Sequence, residues 1–113
     1  MKNVLILGAN GQIAKEVIKL FLEEADIKLT LFLRQAQRLR FLDNNSQICI
    51  IEGDVLNLSD LEKAMENKDV VYANLAGDLE NHAKNIIKAM KNTGLQKLIF
   101  ISSIGIYDEV LLI

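Results

Sequence analysis

Five short apolar segments, separated by stretches with helical periodicity, limit the folds open to this chain. Each segment is continuously or almost continuously apolar, which is typical of strands buried on both faces of a sheet. The segments are NVLIL (3–7), IKLTLFL (27–33), QICII (47–51), DVVYANL (69–75) and KLIFIS (97–102). Strands that alternate with helices favour right-handed crossovers, so the order predicts an α/β fold with a parallel, doubly wound sheet.

The stretches between the strands carry apolar residues at spacings of three and four, which predicts amphipathic helices. SDLE (59–62) is typical of a capping box, with Ser59 as N-cap and Glu62 reaching back. Gly94 stands where the glycine that follows a helix is expected. The predicted helices begin after Gly11, cover 35–43, run from 59 to about 66, and run from 79 to 93.

Composition narrows the classes of function. The chain has 113 residues and a formal net charge of −2, so one domain is expected and no basic nucleic-acid surface is predicted. No apolar run is long enough for a membrane span, and the N-terminus lacks the pattern of a signal peptide. The sequence therefore predicts a soluble, cytoplasmic protein, and no metal site is predicted.

Two residues occur once each. Cys49 lies in the apolar run ICII (48–51), so it is expected to be a small buried core side chain rather than a reactive thiol. His82 lies on the predicted helix 79–93 beside its apolar stripe, and it is expected to be a boundary or solvated histidine.

The segment LGANGQIA (7–14) joins the first strand to the first helix. Gly8 permits a turn, Gly11 removes the Cβ that would meet a ligand, and small Ala14 lets helix and sheet pack closely. A helix N-terminus at the carboxyl end of a parallel strand binds phosphate groups through its free N–H groups and partial positive charge. The spacing G-x-x-G-x-x-A thus predicts a nucleotide site, although glycines at such turns also arise for geometry alone. No Lys-Ser or Lys-Thr follows Gly11, which argues against a P-loop.

Arg34 ends the second strand, where a site for NAD usually has Asp or Glu bonded to the ribose 2′-hydroxyl. A guanidinium offers a planar set of donors to a 2′-phosphate, which a carboxylate would repel. The residue therefore predicts NADP(H) as the preferred cofactor, with NAD(H) as the second choice. The alternative is that Arg34 is a surface residue that stacks on adenine.

Polar residues also follow the later strands. Asp54 comes just past the third strand, where its carboxylate could accept a hydrogen bond from the adenine amino group, or could merely cap a turn. The fifth strand ends in FISSIGIYDE, which brings Ser102, Ser103 and Tyr107 to the same edge. Ligands of open α/β sheets bind beyond that edge.

Taken together, LGANGQIA, FLR, EGDVLNLSDLEKAM, VVYANLAG and LIFISSIGIYDE resemble the N-terminal half of an atypical short-chain dehydrogenase/reductase. The NAD(P)-binding NmrA-like and epimerase/dehydratase-like group is the most similar, from residue 2 to about 109. The resemblance implies a Rossmann-like three-layer α/β/α domain, with a parallel five-stranded sheet in the order 3-2-1-4-5, that binds a dinucleotide.

The resemblance also implies positions for the cofactor. By position in the family, the pyrophosphate lies at Gly8, Asn10, Gly11, Gln12 and Ile13, the adenosine phosphate at Arg34, the adenine at Asp54 and Val55, and the nicotinamide ribose at Leu75, Ala76 and Ser102. Ser103 matches the position of the catalytic serine.

The sequence departs from the family in its catalytic pair and at its end. Catalytic members use a Tyr-x-x-x-Lys pair, whereas Tyr107 is followed four residues later by Leu111 and lies too close to Ser103. Two functions stay open: an NADP(H)-dependent oxidoreductase acting on a small-molecule carbonyl or alcohol, and a non-catalytic sensor of the NmrA type. The apolar tail EVLLI, with no helix to cover it, predicts that 1–113 is a single domain truncated relative to the family. Such a five-stranded sheet would have an exposed edge strand and one partly uncovered face. The alternative to truncation is a homodimer that covers this surface.

Overall fold

The computed structural model describes residues 2–8, 12–35, 45–74, 79–104 and 107–112. In chain order its elements are β1 (Lys2–Leu7), α1 (Gln12–Leu22), β2 (Ile27–Leu33), β3 (Ile48–Glu52), α2 (Leu58–Met65), β4 (Val70–Asn74), α3 (Leu79–Thr93), β5 (Leu98–Ile104) and β6 (Tyr107–Leu112). Most of the predicted helix over 35–43 lies outside the described residues.

The strands form one sheet in the order β3-β2-β1-β4-β5-β6, and the first five strands of this order are parallel. The predicted α/β fold and the order 3-2-1-4-5 are therefore confirmed. Leu7 of the central strand β1 pairs with Phe32 on one side and with Ala73 on the other. The carboxyl ends of β1, β2 and β4 consequently meet at one edge of the sheet.

Two hydrophobic clusters fill the two faces of the sheet and make the three layers. On one face the strand residues pack with α2 and α3, through side chains that include Leu5, Phe32, Leu61, Ala64 and Ile86. On the other face they pack with α1, through side chains that include Val4, Ile6, Ile18, Leu31 and Tyr72. Alternate residues of β1 thus enter opposite clusters, as expected for a strand covered on both faces.

The apolar tail EVLLI belongs to a strand that the sequence analysis did not predict. Residues 107–112 form β6, which pairs antiparallel with β5 from Ile104↔Tyr107 to Ile99↔Leu112. Only residues 105 and 106 separate the two strands in sequence, a length that is sufficient for an antiparallel connection. β5 itself continues to Ile104. β6 beside it is a sixth strand of the sheet that the sequence analysis did not predict.

The capping box predicted at Ser59 is wrong, because α2 begins one residue earlier. Asn57 is the N-cap, and its Oδ1 accepts a hydrogen bond from the Asp60 N–H at 3.1 Å. Asn is as effective an N-cap as Ser. Glu62 does not reach back to the N-cap, since its Oε1 accepts a hydrogen bond from Asn92 Nδ2 at 2.8 Å.

Cys49 is exposed, which corrects the prediction of a buried core side chain. The apolar run ICII indicated a strand covered on both faces. β3 is instead one of the two edge strands of the sheet, with a neighbouring strand on one side only within the described ranges. Ile51, which shares the face of Cys49, reaches the cluster with α2 and α3, whereas Cys49 lies beyond it.

Candidate functional site

The carboxyl edge of the parallel strands holds the predicted site residues that the structure describes. Gly8 follows β1, Arg34 follows β2, and Asp54 comes two residues after β3. The ladder keeps these strand ends level, because Leu7 pairs with Phe32 and Leu33 pairs with Glu52. The adjacent strands β1, β2 and β3 thus bring three residues that are far apart in sequence to one edge.

Gly8 makes the turn out of β1 with φ +74°, in the left-handed region that glycine enters without steric cost. Its own N–H donates to the Phe32 carbonyl at 3.2 Å and is therefore not free for a ligand. α1 then begins at Gln12. The first N–H groups of a helix have no partner within it, so Gln12 and Ile13 supply donors with a partial positive charge at this edge.

Arg34 is exposed directly after the buried Leu33. Within the described ranges, the Arg34 guanidinium has no hydrogen bond and no ion pair. A partnerless guanidinium at the carboxyl end of β2 is a set of donors available to an anionic group.

Residues 54–57 form a tight turn between β3 and α2. The Asn57 N–H donates to the Asp54 carbonyl at 2.9 Å, and the Leu56 N–H donates to Asp54 Oδ1 at 2.8 Å. The Asp54 N–H donates to Asp60 Oδ2 at 3.2 Å. Asp54 therefore does cap a turn with one carboxylate oxygen, while Oδ2 accepts no hydrogen bond in the described part of the chain.

Val55 turns its side chain away from the edge and into the core. It is 7% exposed and packs in the cluster with α2 and α3, and its carbonyl accepts a hydrogen bond from Asn85 Nδ2 of α3 at 3.2 Å. The Val55 N–H donates no hydrogen bond to a described residue. Only the backbone of Val55 can therefore meet a ligand.

Gly53 brings the start of this turn against β2. Its N–H donates to the Leu33 carbonyl at 3.0 Å, and a Cβ at Gly53 would lie 2.6 Å from the Cε2 and Cζ atoms of Phe32. Sequence reasoning singled out neither Gly53 nor Asn85. A glycine at the end of a strand signals a close approach of this kind, whereas nothing in the sequence pairs Asn85 with Val55.

For some of the remaining predicted residues the structure describes the backbone position only, and others lie outside the described residues. Backbone positions put Gln12 and Ile13 at the start of α1, and Ser102 and Ser103 near the end of β5. Ser103 pairs with Asp108 in the β5–β6 ladder. The other members of the predicted cofactor set, Asn10, Gly11, Leu75 and Ala76, lie outside the described residues.

Two titratable side chains, Tyr72 and His82, are removed from solvent to different extents. Burial raises the pKa of the Tyr72 phenol above its usual value, and this side chain of β4 is only 6% exposed. His82 lies in the first turns of α3 and is partly buried, as expected for a boundary position. Its Nδ1 is buried and has no hydrogen-bond partner among the described residues.

Other kinds of site find little support in the described residues. No group of three or more His, Cys, Asp and Glu side chains there could hold a metal ion. No described helix has the length and apolarity needed to cross a membrane. An apolar groove of about 360 Å³ runs along α3 and the loop before β5, and so lies at the opposite end of β5 from Ser103.

Comparisons with known proteins identify the family and the fold of the chain. A family model described as NAD(P)H-binding matches residues 8–111. A Rossmann-fold NAD(P)-binding family protein from Shigella flexneri is 46% identical, with a TM-score of 0.84 over 95% of this chain and 54% of its own. A short-chain dehydrogenase/reductase from Veillonella parvula in complex with NADP is 29% identical, with a TM-score of 0.82 over 92% of this chain and 48% of its own.

A curated plant protein, the isoflavone reductase homolog A622 of Nicotiana tabacum, is 27% identical over 90% of this chain and 35% of its own length. The chain thus spans about half the length of the two structural relatives and about a third of the plant relative. With a family match that covers nearly all of its residues, the chain belongs to the NAD(P)H-binding family and is a Rossmann-type NAD(P)-binding protein related to the short-chain dehydrogenases/reductases.

Proposed function

We propose that this chain binds NADP(H) at the carboxyl edge of its sheet, as the cofactor-binding part of an oxidoreductase. The observation that carries the proposal is the exposed guanidinium of Arg34, which has no partner among the described residues, at the end of the strand beside the left-handed turn at Gly8. Arg34 would hold the 2′-phosphate of the adenosine ribose, where an acidic residue would repel it. The Veillonella parvula relative, which was solved with NADP, supports this assignment.

The turn at 54–57 supports an adenine site. Adenine presents an amino group that donates and a ring nitrogen that accepts, side by side on one edge. With respect to the described residues, Asp54 Oδ2 is the free acceptor of the turn and the Val55 N–H is its free donor, so the two groups match that edge. Val55 would act through its backbone, since its side chain belongs to the core.

The diphosphate would lie between the Gly8 turn and the start of α1. Because the Gly8 N–H is bonded to Phe32, the donors would come from Gln12, Ile13 and the predicted Asn10 and Gly11. Leu75, Ala76 and Ser102 remain predictions for the nicotinamide ribose. The cofactor itself would carry the hydride, which NADPH gives to a carbonyl and NADP+ takes from an alcohol, while the chain's residues bind the cofactor and orient it against the small-molecule substrate.

Calorimetric titration of the chain with NADPH and with NADH tests this proposal. We expect both to bind and NADPH to bind more tightly, because only NADPH offers the 2′-phosphate to Arg34. Tighter binding of NADH would contradict the preference, and no binding of either cofactor would contradict the site.

A second function, a non-catalytic NAD(P) sensor of the NmrA type, would use the same cofactor site. Tyr107 lies in β6 and is followed by Leu111 where the family's pair needs lysine, so these 113 residues contain no Tyr-x-x-x-Lys pair. NADPH oxidation with a panel of aldehydes, ketones and quinones separates the two functions. Turnover that is lost in Ser103→Ala supports the enzyme, and binding without turnover supports the sensor.

We further infer that residues 1–113 form one domain, because both hydrophobic clusters lie on the faces of one sheet. A cytoplasmic location and a homodimer are parts of the same proposal. β6 is an edge strand, and such an edge is able to pair with a second copy. Sedimentation velocity tests the homodimer, which a stable monomer at micromolar concentrations would contradict.

A further inference from the structure

One side chain of α3 reaches the turn that carries the candidate adenine groups. Asn85 Nδ2 donates to the Val55 carbonyl at 3.2 Å, in a partly buried contact between residues that are 30 positions apart. The bond ends on the peptide unit between Val55 and Leu56. The N–H at the other side of this peptide unit, that of Leu56, donates to Asp54 Oδ1 at 2.8 Å.

These two contacts form a continuous chain of hydrogen bonds, from the Asn85 amide through one peptide unit to the Asp54 carboxylate. A peptide unit is planar, so a bond that fixes its carbonyl also fixes the direction of its N–H. The direction of the Leu56 N–H in turn decides how the Asp54 carboxylate is rotated. Hydrogen bonds in such a series also polarise one another, which strengthens the Leu56 bond.

We propose that Asn85 is a positioning residue that orients the Asp54 carboxylate toward the adenine amino group through the Val55–Leu56 peptide. The inference rests on the proposed function and extends it to a residue that contacts no ligand itself. Asn85 is thereby a determinant of selectivity for adenine over other purines.

The chain offers a matched control on the same helix. Asn92 lies two turns further along α3, and its Nδ2 donates to Glu62 Oε1 at 2.8 Å. Both asparagines therefore join α3 to the segment that follows β3. Asn92 lies near the end of α3 that is remote from the carboxyl edge, so its bond can stabilise the fold but cannot orient Asp54.

The test compares the dissociation constants of NADPH and of its hypoxanthine analogue, in which a carbonyl replaces the adenine amino group. An oriented Asp54 accepts from the amino group and repels the carbonyl, so we expect wild type to prefer NADPH. Loss of one hydrogen bond corresponds to about a fivefold change in an equilibrium constant. We therefore expect Asn85→Ala to reduce the preference for NADPH about fivefold, and Asn92→Ala to leave it unchanged.

Asn85→Asp keeps the shape of the side chain but lacks the donor, so it provides the same comparison if Asn85→Ala does not fold. A merely structural Asn85 would lower the melting temperature in both variants and leave the preference for NADPH at its wild-type value, which would overturn the inference. A wild type that binds both dinucleotides equally would also overturn it, while the NADP(H) site would stand. Failure of wild type to bind NADPH at all would instead overturn the proposed function.

Discussion

Phe32 lies so close to Gly53 that a Cβ at Gly53 would be 2.6 Å from the Cε2 and Cζ atoms of its ring. Phe32 is fully buried in the core, and Asp60 Cβ of α2 would lie 3.3 Å from the same added atom. The added atom would therefore meet a buried ring on one side and α2 on the other. The backbone at Gly53, which leads into the 54–57 turn, is fixed against β2 by this contact.

Gly53→Ala should therefore destabilise the protein. Overpacking of a filled core costs about 1–3 kcal/mol, and we expect the free energy of unfolding measured in urea to fall by that amount. Phe32→Leu should remove most of the clash. The double variant Gly53→Ala with Phe32→Leu is then less destabilised than the sum of the two single variants, and additive effects would contradict the contact.

Gly8→Ala should weaken cofactor binding beyond its effect on stability. Gly8 has φ +74° and Gly94 has φ +79°, and an added Cβ at Gly94 meets nothing within 4 Å. Alanine at either position adopts a left-handed conformation at a cost of about 1–2 kcal/mol. We expect Gly8→Ala and Gly94→Ala to lower the free energy of unfolding similarly, while only Gly8→Ala raises the dissociation constant of NADPH. Equal affinities in the two variants would remove Gly8 from the site.

The positions of the first five strands along the chain were predictable because each strand is a local feature of the sequence, whereas their order in the sheet was implied by the family resemblance. The bounds of β2 were predicted without error, those of β1, β3 and β4 lie within one residue, and α3 ends before Gly94 as its C′ position indicated. β6 was not predictable in the same way, because Asp108 and Glu109 interrupt its apolar pattern. Its pairing with β5 depends on tertiary contact rather than on local propensity.

Residues of the candidate site were predictable only where they come directly after a strand. Arg34 and Asp54 come just after strands, so their place at the carboxyl edge follows from a parallel sheet. The contact between Asn85 and Val55 depends on how α3 packs beside the turn, which no local pattern encodes. Cys49 shows the same limit, since a run such as ICII does not reveal whether its strand lies at an edge.

Arg34→Ala should weaken the binding of NADPH and leave that of NADH almost unchanged. A hydrogen bond to a charged group contributes about 1.5–3 kcal/mol, so we expect the dissociation constant of NADPH to rise about tenfold or more. Lys28→Ala is the matched control, because Lys28 is an exposed cation near the other end of β2. Equal losses for NADPH and NADH in Arg34→Ala would indicate that Arg34 stacks on adenine instead.

Tyr72→Phe should change how stability depends on pH at the alkaline end. Burial raises the pKa of the Tyr72 phenol in the folded state, so the folded protein holds this proton more tightly than the unfolded chain does. Below the ordinary tyrosine pKa of about 10 both states are protonated and the residue adds no pH dependence. Above it, the unfolded chain ionises first, and the free energy of unfolding falls as the pH rises toward the folded-state pKa. We expect urea unfolding between about pH 8 and pH 11 to show this loss in wild type and a smaller loss in Tyr72→Phe, and identical slopes would mean that the phenol ionises freely in the folded protein.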